Sequence, residues 1–82
     1  IPLTMSVQVK RIRLDTEHDN TKWVVLEGFV DGIPAVTKRR SINTASLVDG
    51  SRTLADEKAK LIADVEEYLA RYNAVQEQLR DL

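Results

Sequence analysis

The sequence contains no cysteine and a single histidine, and these two scarcities exclude most catalytic and metal chemistry. Without cysteine there is no disulfide, no thiolate metal ligand and no thiol nucleophile. A zinc site would need ligands that His18 alone does not supply. A nucleophile elbow and a glycine-rich phosphate loop are absent too, and turns or packing account for the three glycines at 28, 32 and 50. We therefore predict a protein that is not an enzyme and holds no metal or cofactor.

The acidic surroundings of His18 resemble a calcium-binding loop only superficially. Acids occupy every second position from Asp15 through Glu17 to Asp19. Counted from Asp15, an EF-hand loop would require glycine at the sixth position and glutamate at the twelfth, where the sequence has Asn20 and Leu26. The segment is instead interpreted as a solvated loop between two strands.

Long hydrophobic runs and a signal peptide are also missing, which predicts a cytoplasmic protein that does not bind membranes. The first methionine is Met5, so residues 1–4 are interpreted as a remnant of cloning or processing. The 82 residues predict one domain, near the size at which a single core is only marginally sufficient. With no disulfide to stabilise it, oligomerisation is the remaining way to bury more surface.

The last third of the chain, residues 53–82, has the pattern of one amphipathic helix. Apolar residues follow the i, i+3, i+4, i+7 rule, at Leu54, Leu61, Ile62, Val65, Tyr68, Leu69, Tyr72, Val75, Leu79 and Leu82. The opposite face is predicted to carry Glu57, Lys60, Asp64, Glu67, Arg71, Gln78 and Arg80. Thr53 and Asp56 fit a capping box at its start.

This helix is too long for a small sheet. Thirty helical residues span about 45 Å, whereas an eight-residue strand spans about 27 Å. The last turns should therefore run past the sheet, still carrying Tyr72, Val75, Leu79 and Leu82. We predict these four residues to be an oligomer interface. The alternatives are a foreign protein partner, or the chain itself after a bend near Asn73, the weakest helix former inside the run.

Residues 6–42 have the pattern of a three-stranded antiparallel meander. Strand one spans 6–14, with a β-bulge at Lys10–Arg11 because the apolar alternation changes phase there. Strand two spans 23–30, and Asp31-Gly32 predicts a two-residue hairpin turn. Strand three spans 33–41 at a sheet edge, since Pro34 lacks a donor. The connector, residues 43–52, is predicted to hold one helical turn at 44–48 stopped by Gly50.

These elements define an α+β fold, in which a β-meander packs against one long C-terminal helix in the order β-β-β-α. The order is topologically similar to AP2-type plant DNA-binding domains and to the arm-site-binding domains of phage-type integrases. This is an analogy of fold, since the sequence holds no diagnostic motif of either family.

The predicted register gives the sheet two different faces. A tight turn would pair Val30 with Ile33 and Val25 with Lys38, leaving one apolar face for the helix. The other face would mix aromatic, aliphatic and basic residues, and we predict it as a partner or nucleic-acid surface: Arg11, Arg13, Trp23, Val25, Phe29, Val36, Lys38 and Arg40. Alternatively, the connector folds back over Trp23, or Arg40 stacks on it.

Two functions follow from these surfaces. The first is a non-catalytic protein-interaction module that self-associates, with a dimer favoured, of the kind common in phages and other mobile elements. The second is DNA binding through the basic and aromatic face of the sheet. The net charge of −1 disfavours DNA, although residues 1–42 carry seven Lys/Arg against five Asp/Glu and residues 43–82 carry five against eight.

Overall fold

The computed structural model describes the backbone of residues 4–15 and 21–82, and the side chains of these residues except 11, 13–15 and 21. Within these described residues, three strands precede two helices in chain order: β1 (Met5–Asp15), β2 (Thr21–Val30), β3 (Lys38–Asn43), α1 (Thr44–Asp49) and α2 (Leu54–Arg80). The strands form one antiparallel sheet in the order β1-β2-β3. The predicted β-β-β-α fold is therefore confirmed, while the predicted loop around His18 lies outside the described residues.

The predicted β-bulge is present in β1. The register of β1 on β2 shifts between Val9, which pairs with Leu26, and Arg11, which pairs with Val25. One extra residue, Lys10, is accommodated there. It restores the alternation, so that Val9 and Ile12 share the face of the sheet that receives α2.

The predicted register of β2 on β3 is wrong by three residues. Val25 pairs with Ser41 and not with Lys38, and Val24 pairs with Ile42. Asp31 and Gly32 do form a turn, with the Ile33 amide donating to the Val30 carbonyl (3.0 Å). The connection nevertheless continues to residue 37 before pairing begins, so Pro34 lies in the loop and not in a strand.

Burial explains why the longer connection forms. A shift by an odd number of residues moves every side chain of β3 to the opposite face. In the observed register Ile42 lies under the helices, completely buried, whereas the predicted register would have placed it on the other side. Ile33 still packs against the core from the loop. The prediction that β3 is an edge strand is confirmed.

Both helices begin and end as their sequences indicate. The Asn43 side chain caps α1 by accepting from the Ala45 amide (2.7 Å), and Gly50 ends it at a φ of 83°. The Thr53 hydroxyl caps α2 by accepting from the Asp56 amide (3.1 Å). From there α2 runs without interruption through Asn73, so the predicted bend does not occur.

The core lies between the N-terminal half of α2 and one face of the sheet. Its buried members are Val24, Leu26, Val30, Ile42, Leu61, Val65 and Leu69. The helix packs tightly on the sheet at Gly28, where a Cβ atom would lie 2.7 Å from Val65 Cγ2. Gly28 is thus the small residue that a helix-receiving surface requires. The last buried residue of α2 is Leu69, eleven residues before the helix ends.

Candidate functional site

The N-terminal half of α2 is held on the sheet by a buried carboxylate. Glu57 is 2% exposed, and its two oxygens accept from Arg40 Nε (2.6 Å) and Arg52 Nε (2.7 Å). Hydrogen bonds from Arg52 and Arg40 lower the pKa of Glu57 from 4.5 to about 2, against the effect of desolvation. These two ion pairs of Glu57 join β3, the connector and α2. They set the direction in which the rest of α2 leaves the sheet.

The faces that the sequence predicts for Glu57 and Arg40 are both wrong. Glu57 was assigned to the solvent-facing side of the helix, although it lies three residues after Leu54 and four before Leu61. That spacing puts it on the apolar stripe, and it is the signal that could have identified it. Arg40 was assigned to the opposite face of the sheet because of the register error.

The C-terminal part of α2 extends beyond the sheet as a free arm. We call residues 70–82 the overhang, of which the eleven helical residues span about 16 Å. No residue of the overhang is buried. Its apolar stripe consists of the four predicted interface residues: Tyr72 is half-buried, and the exposed fractions of Val75, Leu79 and Leu82 are 53%, 52% and 100%.

A pair of stacked tyrosines lies on either side of the point where the overhang begins. The rings of Tyr68 and Tyr72 lie 6.2 Å apart between centroids and are inclined by 22°. Stacking at this distance stabilises the helical turn at which α2 leaves the core. The overhang therefore presents its stripe as a continuous helical surface.

A second apolar surface lies on β1, beside the helix. Val9 and Ile12 are 62% and 64% exposed, although their cross-strand partners Leu26 and Val24 are 3% and 9% exposed. Paired residues share one face of a sheet. At these positions the helices therefore cover β2, whereas β1 is exposed. We call Val9 and Ile12 the β1 strip. The sequence pattern predicted these residues as part of the covered face.

The opposite face of the sheet, which we call the second face, is more polar than predicted. Trp23 and Phe29 are half-buried, and Val25 is only 2% exposed. Lys10 Nζ lies 4.8 Å from the centre of the Phe29 ring, a cation–π contact. Between Val25 and Phe29 along β2, the buried Glu27 accepts a hydrogen bond from Arg39 Nε (3.0 Å).

Only part of the predicted basic and aromatic set shares this face. The register pairs Arg11 with Val25 and Arg13 with Trp23, as predicted, but the side chains of the two arginines lie outside the described residues. Three predicted members are placed wrongly. Val36 lies in the hairpin loop, whereas Lys38 and Arg40 are paired with Gly28 and Leu26 on the α2 side.

The two alternative explanations for the second face are wrong. Arg40 binds Glu57 on the other side of the sheet and does not stack on Trp23. The connector does not fold over Trp23, because its helix α1 packs Leu47 against the core on the α2 side.

Comparison with protein-family models, with curated proteins and with solved structures finds no match. Among residues 4–15 and 21–82, no helix is long and apolar enough to cross a membrane. Within the same described part of the chain, no three His, Cys, Asp or Glu side chains gather as a metal site would require. Three surfaces bear on function: the overhang, the β1 strip and the second face.

Proposed function

We propose that the protein is a non-catalytic assembly module that associates with a second copy of itself through the overhang. The observation that carries this proposal is the exposed apolar stripe of the overhang, which continues the buried stripe of Leu61, Val65 and Leu69 without a break in α2. Burying a Val or Leu side chain fully contributes about 1.5–3 kcal/mol. A stripe of this kind on a small domain supports a contact with another molecule.

The spacing of the stripe supports a helix-containing partner. From Leu61 the apolar positions follow alternating steps of four and three residues, at 61, 65, 68, 72, 75, 79 and 82. This is the seven-residue repeat of helices that pack side by side. The residues that flank the stripe in its outer part are Gln76 and Gln78, which are uncharged. A second copy would therefore meet no like charge at these positions.

The position of the sheet supports an antiparallel arrangement. In the N-terminal half of α2 the stripe is already covered by the chain's own sheet. Two parallel copies would bring both sheets between the helices, which must approach to 8–10 Å to pack. Two antiparallel copies keep the two sheets at opposite ends of the assembly, so neither sheet separates the helices. A symmetric dimer, the commonest oligomer, satisfies this condition.

The test is Leu79→Asp, followed by sedimentation equilibrium over a concentration series. We expect the wild type to be a dimer and the variant to be a monomer, because a charge would be buried in the contact. The control is Ala70→Asp, which adds the same charge on the exposed outer side of the helix and should leave the dimer intact. A wild type that stays monomeric at high concentration contradicts the proposal.

DNA binding through the second face is the second candidate. It is supported by the register of Arg11 and Arg13 opposite Val25 and Trp23. Lys38 and Arg40 do not contribute to this face, because they lie on the α2 side of the sheet. Binding to phosphates is strongest at low salt, so retention of duplex DNA on the protein at low ionic strength is the test. Absence of retention removes this candidate.

A further inference from the structure

The exposed β1 strip has a simple geometric cause. A helix with its side chains is about 10 Å wide, and neighbouring strands lie about 4.8 Å apart, so one helix covers about two strands. In this protein α2 packs over β2 and β3 and reaches β1 only near its start, where Met5 and Val7 contact the core. Val9 and Ile12 lie beyond its cover.

We propose that the dimer covers the β1 strip with the partner's overhang. Each overhang lies beside the partner's α2 and packs its stripe across the partner's β1, so that two helices cover each sheet. This inference rests on the proposed self-association and specifies the surface that the stripe contacts. The occupant is a second copy of the chain.

The direction of α2 suits this arrangement. Leu61 and Val65 lie over Gly28, and Met5 and Ile33 pack against the same cluster, so α2 leaves the sheet at the end formed by the start of β1 and the hairpin loop. When two copies meet at these ends of their sheets, each overhang extends over the surface of the partner's sheet. It reaches that sheet first at the start of β1.

The length of the overhang also matches the distance along β1 from Met5 to the bulge. The eleven helical residues of the overhang span about 16 Å, which equals about five residues of β1 at about 3.4 Å each. Counted from Met5, this distance reaches Val9 and ends at the bulge, two residues before Ile12. Leu79 and Leu82 are the stripe residues that arrive there.

Symmetry favours the same contact. The two contacts are related by a two-fold axis, so the assembly closes as a dimer and leaves neither apolar surface uncovered. A contact between the two overhangs alone would leave Val9 and Ile12 exposed.

The first test is Val9→Lys, with the dimer dissociation constant measured by sedimentation equilibrium. We expect the constant to rise about tenfold or more, since an apolar contact is replaced by a buried charge. The control is Val48→Lys, at a valine on α1 that is 88% exposed and is not part of the proposed contact. It should leave the constant unchanged. Circular dichroism checks that both variants are folded.

The outcomes separate this inference from the proposed function. If Val9→Lys leaves the dimer unchanged while Leu79→Asp dissociates it, the overhangs contact each other and the inference is overturned, but self-association stands. If the wild type is a monomer, both are overturned.

A mixing experiment tests the reciprocal contact even if one variant is less stable. Chains with Val9→Lys and chains with Leu79→Glu should each be monomeric alone. Mixed together they should form a heterodimer, because one contact is then wild type and the other joins the two introduced opposite charges. Recovery of the dimer mass only in the mixture supports the inference. Failure to recover it contradicts the reciprocal contact.

Discussion

Glu57 connects three elements through one carboxylate, and its ionisation should therefore be visible in the stability of the fold. Its pKa is about 2 in the folded chain and 4.5 as its ordinary value. Between these values the unfolded chain binds more protons than the folded chain. The contribution to stability is therefore complete above about pH 4.5 and is lost as the pH falls towards 2.

We expect Glu57→Gln to remove this pH dependence. The variant keeps a hydrogen-bond acceptor but loses the charge that faces Arg40 and Arg52. Urea unfolding should show the variant to be less stable than the wild type at neutral pH, and the difference should shrink between pH 4.5 and 2. Glu67→Gln is the control, because Glu67 pairs with Arg71 on the exposed side of α2 and such pairs contribute little. A difference between wild type and Glu57→Gln that stays constant with pH would contradict the assignment.

Gly28 is the second residue on which the packing depends. A methyl group at this position would overlap Val65 Cγ2, since the distance of 2.7 Å is shorter than van der Waals contact. We expect Gly28→Ala to destabilise the fold by about 1–3 kcal/mol, the usual cost of overpacking.

A double-mutant cycle tests the cause at Gly28. In a Val65→Ala background the overlapping atom is gone, so the cost of Gly28→Ala should largely disappear. A cost that is unchanged in that background would show that Val65 is not the reason. Unfolding by urea measures all four chains of the cycle.

At the scale of elements, α2 consists of two halves with different roles. Up to Leu69 its stripe is buried against the sheet, and after Leu69 none of its residues is buried. The first half therefore stabilises the fold, whereas the second half buries no side chain and contributes little to it. The uniform seven-residue repeat does not show this division, because the repeat is the same on both sides of Leu69.

The strands differ in how far their sequences determine them. The bulge in β1 is predictable, because Val7 and Val9 lie on odd positions and Ile12 on an even one, and a single extra residue reconciles them. The start of β3 is not predictable from the turn. Asp31-Gly32 is a strong turn signal, and it does form a turn, but the pairing that follows is chosen by the burial of Ile42 and the ion pair of Arg40.

At the scale of the whole molecule, the shape is elongated, with principal extents of 54, 23 and 17 Å. One helix of this 82-residue chain extends past the core. It therefore exposes apolar surface that a more compact chain would bury. Self-association would cover that surface and link folding to association.

This linkage predicts that thermal stability depends on protein concentration. Because dimerisation stabilises only the folded chain, Tm should rise by about 3–6 °C for each tenfold increase in concentration. Leu79→Asp should unfold at a temperature that does not depend on concentration. Differential scanning calorimetry of both proteins over a hundredfold range measures this. A Tm of the wild type that does not change with concentration would contradict a dimer in which folding and association are coupled.

The sequence by itself determined the element order, the bulge in β1, the cap at Thr53, the glycine stop at Gly50 and the length of α2. These depend on local periodicity and on side chains that bond to nearby backbone. Only the tertiary structure decided the register of β3, the burial of Glu57 between two arginines, and the exposure of Val9 and Ile12. These depend on which side chains meet across the sheet and on how many strands one helix covers, and neither quantity is encoded in any local stretch of the chain.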